Sequence, residues 1–387
     1  MDAYSQRTLE LVGSKTRPVT IMVLGLRGFP GVQGGVETHA EHLYPLLINL
    51  GCTVEVIGRA PYMKHTHLNE WRGIKFSRVW SPRAKGLEAI IHTLLGVLYA
   101  AIKRPDILHI HAIGPALMVP LARLLGLRVV VTHHGPDYER QKWGYFSRWI
   151  LRAGERLGMR FSHQRIVISQ VIRKLVRTKH HIDSVLIHNG VALPVLPTTT
   201  AALRQFDLTA GRYVLLVSRL VPEKRHLDLI QAFSLADMDG WKLVLVGASD
   251  HPDEYARNVL AQAETTPNVV CAGFQTGTAL QELYAYAGSF VLPSSHEGLP
   301  IALLEALSFG IPVIASAIPA NLEIGLASEN YFPLGDVRAL AATLQRVARQ
   351  PLSQQQRDAQ RLWLRERYNW ETIARKTYDA YLQALAA

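Results

Sequence analysis

The chain has 387 residues, 48% hydrophobic and 19% charged. That is ordinary globular composition, enough for about two domains, and it excludes global disorder. The net charge of +11 is uneven: residues 1–195 hold 26 Lys/Arg against 12 Asp/Glu, and residues 196–387 hold 16 against 19. This asymmetry calls for an anionic partner of the first half, whether nucleic acid, anionic lipid or a phosphorylated substrate.

Residues 1–18 are polar and lack an apolar core, so no signal peptide is expected. No stretch approaches the ~20 uninterrupted apolar residues of a membrane span, so the chain reads as soluble or peripheral. A strand is expected at 19–25, then a Gly-rich loop and a helix near 36–50. Strands at 53–58, 74–79, 106–111, 128–133 and 165–169 alternate with helices at 86–102, 115–125, 145–162 and 170–177. Such alternation means βαβ units and a parallel sheet. Residues 193–209, with Pro, three Thr and no clear period, read as a linker. A second series follows: strands at 213–217, 241–246, 269–272, 289–292 and 312–315, and helices at 224–236, 252–263, 278–286, 300–309, 337–350, 353–368 and 371–385. The reading is two doubly wound α/β domains with a ligand cleft between carboxyl strand ends. Cys52 and Cys271 both stand in apolar runs and read as reduced core residues, in a reducing compartment.

Four motifs carry chemistry. The loop after the first strand ends in Gly34-Gly35-Val36-Glu37. Its glycine spacing is not the dinucleotide fingerprint. Gly34 and Gly35 open a helix whose amides and dipole suit an anion, and Glu37 suits the same dipole. After the second domain's first strand, Arg219 and Lys224 flank a strand-to-helix turn, where they serve either as solvated charge or to neutralise a pyrophosphate. The third motif runs Glu297-Gly298-Leu299-Pro300 into a helix holding Glu305. A glutamate among leucines and alanines needs a partner, and two carboxylates at this spacing suit paired sugar hydroxyls. The fourth, Thr132-His133-His134-Gly135, places two imidazoles at a strand's carboxyl end, where α/β sites are built. Asp237 and Asp239 form a D-x-D pattern, but beside Gly240 they read as a turn. His65/His67 and His109/His111 have no acidic or Cys neighbour in sequence, so no metal is expected.

Together GGVE, THHG, HNGV, SRLVPEK and EGLPIALLE resemble the family-4 retaining glycosyltransferases, in the right order over nearly the whole chain. The stretches GLRGFPGVQGGVE and THHGPDYERQKWG are similar to a bacterial subgroup of exopolysaccharide and lipopolysaccharide assembly. The resemblance implies a GT-B fold: an N-terminal extension (1–18), an acceptor domain (19–192), a linker (193–209), a nucleotide-sugar domain (210–368) and a last helix (369–387) returning to the first domain. Gly34 and Gly35 would face the donor diphosphate, His134 the transferred sugar, and Arg219 and Lys224 the diphosphate. Glu297, with Gly298, Leu299 and Pro300, would meet the sugar, Glu305 the ribose, and Asn189 would mark the domain crossover. The implied reaction is front-face transfer of a hexosyl unit from a UDP- or GDP-linked sugar, without metal or other cofactor, to a lipid-linked saccharide. The expected place is the cytoplasmic face of the inner membrane. A nucleotide-sugar epimerase and an inactive saccharide-binding protein are the rival readings.

Between Glu139 and Lys179 stand 11 Lys/Arg and two Glu. Arg148, Arg152, Arg156 and Arg160 recur every four residues, on one helical stripe. Trp143, Tyr145, Phe146, Trp149, Ile150, Leu151 and Leu157 supply apolar surface beside them. This suits an anionic membrane or a diphosphate-linked lipid; a solvated helix face is the alternative, and no nucleic-acid motif accompanies the charge.

Overall fold

The computed structural model describes residues 17–63, 69–82, 87–140, 144–249 and 253–387. The extension up to residue 16, His65, His67 and Trp143, and the expected helix starts at 86 and 252, lie outside them.

The first sheet has eight strands: β1 (Val19–Leu24), β2 (Cys52–Arg59), β3 (Glu70–Trp71), β4 (Ile74–Val79), β5 (Ile107–His111), β6 (Val129–His133), β7 (Gln164–Val167) and β8 (Val185–Leu186). Their order is β3-β4-β2-β1-β5-β6-β7-β8, all parallel except the β3–β4 pair. The second sheet holds β9 (Tyr213–Val217), β10 (Lys242–Val246), β11 (Val269–Gly273), β12 (Ser289–Leu292), β13 (Val313–Ser316) and β14 (Tyr331–Phe332). Its order is β11-β10-β9-β12-β13-β14, parallel throughout.

Both faces of these sheets are covered, which is why the strands are continuously apolar rather than alternating. In β1, Ile21 and Val23 join one buried cluster with Val54, Val56 and Ile107. Met22 and Leu24 join the opposite one with Leu108 and Ile110. Each such burial is worth about 1.5–3 kcal/mol. In each sheet the strand order reverses about its first strand, at β1 between β2 and β5, and at β9 between β10 and β12. Loops leaving the carboxyl ends there diverge and open a crevice.

The last helix, Trp370–Ala386, buries Ile373, Ala374, Ala380, Tyr381 and Ala384 in the first domain's core and packs on the helix Gly35–Asn49. The helix before it, Gln354–Arg367, stays on the second domain against Ile301–Ser308. Two chain crossings run side by side: Val191 N donates to the Tyr368 carbonyl at 2.9 Å. A Cβ on Gly190 would lie 2.4 Å from the Trp370 ring.

Four local expectations are corrected. Residues 193–209 are not linker throughout, because Ala201–Gln205 is helical with Ala202 and Leu203 buried. Glu282 of the second domain accepts from Ala202 N at 2.7 Å and from the Thr199 hydroxyl, a distant partner no local pattern displays. The helix expected at 224–236 is a 3-10 turn, Pro222–Lys224, and a helix His226–Ala236, broken at Arg225, whose φ is 51°. The stretch 115–125 likewise starts as a 3-10 turn, Pro115–Met118. Cys52 is buried, but Cys271 is exposed. It lies on the edge strand β11, where Val269 and Val270 are also only half-buried and Gly273 is exposed.

Candidate active site

The site is assembled from loops at the two switch points. After β1, Gly25 has φ 103°, and a Cβ there would lie 2.3 Å from the His111 carbonyl oxygen. Only glycine lets the loop leave so close to β5. Arg27 then folds the loop on itself: its Nε meets Glu37 Oε1 at 3.0 Å, and its guanidinium also donates to the Gln33 carbonyl. Burial pushes the Glu37 carboxyl up, but the charge and hydrogen bonds of Arg27 outweigh it and hold it below the usual value. Glu37 therefore closes the loop as well as favouring the helix dipole. Gly34 lies against this pair, with its Cβ position 2.1 Å from Glu37 Oε2. The helix begins at Gly35 with no side-chain cap, and the Cβ position of Gly35 is 3.9 Å from Ile301 of the second domain. Its first-turn amides suit an anion lying between the domains.

On the facing side, Lys224 Nζ lies 2.5 Å from Glu297 Oε1, and both side chains are largely buried. Their loops are tied together by Ser295 N donating to the Glu223 carbonyl at 2.8 Å. Burial raises the Glu297 carboxyl, yet the charge and hydrogen bond of Lys224 prevail and it stays below the usual carboxylate range. The two residues, assigned separately to diphosphate and sugar, are thus in direct contact. An ammonium has three donors, so Lys224 keeps two for a ligand. Arg219 is half-buried just past β9, in the turn where Val221 N donates to its carbonyl at 2.9 Å.

The two halves meet at Gly298. A Cβ there would fall 1.9 Å from the His134 carbonyl oxygen, and the Gly298 Cα is 3.6 Å from the Cβ position of Gly135. Asn189 Nδ2 donates to the Leu299 carbonyl at 3.2 Å, and Pro300 starts the helix Ile301–Ser308. Arg140 is a functional candidate that local reading did not single out. Its Nη2 holds Asp137 at 2.8 Å, and its Nε is 3.9 Å from Glu223 across the cleft. Asp137 three residues earlier was the one local signal of its placement. His296 Nδ1 and Glu139 stand 3.7 Å apart across the same gap.

The histidine doublet separates cleanly. His133 is fully buried beside Glu155, whereas His134 is half-buried at the cleft, its Nε2 2.8 Å from His111 Nδ1. Burial and neighbouring imidazoles push His134 down to about 3, so it is neutral at working pH. The nitrogens of His39, His111 and His134 lie within 4.8 Å of one another, the one such metal-sized set among the described residues. Sequence spacing did not reveal it, since three elements contribute. Asp237 takes φ 43° after the helix His226–Ala236, which is turn chemistry.

Glu305 faces a cavity of 220 Å³ lined from both domains, with Thr38, His42, Gly277, Tyr284 and Trp370. The Tyr284 hydroxyl donates to its Oε2 at 3.0 Å. Burial lifts its carboxyl from 4.5 to about 7, against the smaller lowering effect of Tyr284. A folded value above the unfolded one makes its stabilising contribution whole below pH 4.5 and lost as pH rises through 7. Compared with Glu305→Gln, the wild type should lose roughly 3 kcal/mol of unfolding free energy between pH 4.5 and 8. Denaturant titrations across that range check this, and a flat difference would refute it.

The helix Tyr145–Phe161 exposes Arg152, Arg156 and Arg160, while Arg148 is half-buried. Tyr145, Phe146 and Trp149 are exposed, but Leu151 is core, packed with Ile113 and Tyr138. Ile150 and Leu157 are half-buried. Among the described residues no helix is long and apolar enough to cross a membrane.

Two parallel doubly wound domains, with facing switch-point loops and a last helix crossing back, define the GT-B architecture. The fold is shared with sucrose-phosphate synthase from Thermosynechococcus elongatus (TM-score 0.80, 22% identity, 95% of this chain and 99% of that one). It is shared too with Anabaena HepE in complex with UDP-glucose (TM-score 0.74, 17% identity, 93% and 98%). Residues 33–193 match the model of Glycosyltransferase Family 4, and residues 204–362 that of Glycosyl transferases group 1. The chain belongs to the family-4 glycosyltransferases. The O-antigen chain mannosyltransferase B of Escherichia coli is 26% identical over 186 residues, 46% of this chain and 48% of that one. The chain thus matches about half the length of that relative.

Proposed function

We propose that this protein is a retaining glycosyltransferase of bacterial surface polysaccharide assembly. It moves a hexosyl unit from a UDP- or GDP-linked sugar to a lipid-linked saccharide, without metal. The observation that carries the reading is the buried Lys224–Glu297 pair set opposite the His134–Gly135 turn. Lys224 and Arg219 neutralise the diphosphate, with the Gly34 and Gly35 amides on its other side. Glu297 accepts sugar hydroxyls, His134 offers a neutral imidazole to the same sugar, and Glu305 accepts from the ribose. The anomeric C–O bond breaks toward the diphosphate, which takes the bonding electrons. The acceptor hydroxyl forms the new bond on the same face and gives its proton to the departing phosphate oxygen. The exposed arginines and aromatics of the helix Tyr145–Phe161 rest on the anionic membrane that carries the acceptor.

A thermal-shift panel of UDP, GDP, TDP and NAD, with and without EDTA, tests this. One nucleoside diphosphate should raise Tm regardless of EDTA, since a ligand of the folded state stabilises by mass action. No diphosphate shift, or one with NAD alone, overturns the donor reading. Phosphatidylglycerol vesicles should pellet the wild type, and the triple variant Arg152→Glu/Arg156→Glu/Arg160→Glu should abolish this. Unchanged pelleting would remove the membrane arm.

A further inference from the structure

Glu155, in the helix Tyr145–Phe161, has no exposed surface and no part in the chemistry above. Its carboxylate gathers four partners. His133 Nε2 lies 3.0 Å and the Tyr138 hydroxyl 3.1 Å from Oε1. Lys179 Nζ bonds Oε2, and His180 Nε2 is 3.1 Å from it. Burial raises this carboxyl, but hydrogen bonds from His133 and Lys179 and the charge of Lys179 hold it at about 2. Glu155 is ionised throughout the working range.

The tautomer of His133 follows from geometry. Its Nδ1 is 3.1 Å from the Gly135 backbone nitrogen, and an amide N–H only donates. Nδ1 is therefore the bare acceptor, and Nε2 carries the hydrogen it gives to Glu155. The Gly135 amide and the Glu155 carboxylate thus fix the two ring nitrogens in opposite roles. The turn held in this way is the one that presents His134 and puts its carbonyl against Gly298. A buried ionic cluster is weak support for stability compared with apolar packing, so geometric control is the better account of its presence.

We propose that Glu155 is a positioning residue of the cleft: by keeping His133 in its Nε2–H form it holds the His134–Gly135 turn in register with Gly298. This rests on the donor reading of the cleft. His133→Asn keeps an oxygen near the place of Nδ1, able to accept from the amide two residues on. His133→Phe keeps the ring volume and removes the acceptor, and Glu155→Gln removes the charge.

Imidazole 15N NMR should show wild-type His133 bare at Nδ1 and carrying its hydrogen on Nε2, and Glu155→Gln should mix the two tautomers. With the sugar that turns over among those linked to the nucleotide the panel identifies, His133→Phe and Glu155→Gln should lose about 30-fold or more in kcat, with donor KM within about 2-fold. His133→Asn should keep about a third or more of kcat. The nucleoside diphosphate thermal shift should be the same in all variants. Wild-type kcat in His133→Phe, equal losses in His133→Asn and His133→Phe, or an unchanged tautomer in Glu155→Gln would each overturn the proposal. A wild type that shifts with no diphosphate refutes the donor reading instead, and the NMR result still decides whether Glu155 holds the tautomer.

Discussion

Lys224→Ala and Glu297→Gln each lower glycosyl transfer by about 10²–10³-fold, the loss expected when one preorganised charge is removed from a site of developing charge. The pair is largely buried at 2.5 Å, so the single variants also carry a stability effect. Lys224→Ala leaves a buried carboxylate without its cation, which costs up to about 3–5 kcal/mol. The double variant Lys224→Met/Glu297→Gln separates the two effects. It has no unpaired charge, so its Tm returns toward that of the wild type while transfer stays lost. Steady-state kinetics beside thermal melts check this. A double variant that regains turnover would make the pair a structural strut.

Gly298→Ala opens the cleft. The added methyl would stand 1.9 Å from the His134 carbonyl oxygen, a backbone atom that no rotamer change can move aside. Something must shift by more than 1 Å, and misplacement on that scale costs about 10²-fold in rate. Nucleoside diphosphate binding should persist, because the Lys224 side of the cleft is untouched. Small-angle scattering should report a larger radius of gyration for the variant. Gly144→Ala is the control, since no atom lies within 4 Å of its Cβ position. Wild-type kcat in Gly298→Ala would mean that closure at this contact is not needed.

Much of the fold is legible because its determinants are local. β1 reads as a strand from six consecutive apolar or β-branched residues, and the helix Gln354–Arg367 announces itself by Ser353 and Gln356, which close a capping box. The two-residue strands β3, β8 and β14 carry no periodicity of their own and exist only because a neighbour pairs with them. The break at Arg225 is likewise set by what the loop must reach, the Glu223 carbonyl being held by Ser295.

The candidate site divides along the same line. Residue type and position in a loop after a strand raised Gly34, Gly35, Arg219, Lys224, Glu297 and the histidine doublet as candidates, and a glutamate inside an apolar helix raised Glu305, while their roles came from the family resemblance. That Lys224 pairs with Glu297, that Arg140 reaches the Glu223 side, and that His39 and His111 surround His134 could not be read from spacing.

By itself the sequence determined the alternation of strands and helices, the two domains, the basic first half and the glycine turns, all set by propensity, periodicity and composition over a few neighbouring residues. The tertiary structure alone decided which buried polar group meets which. A charge taken out of water must find its partner wherever the chain brings one, 73 residues away for Lys224 and 22 for His133.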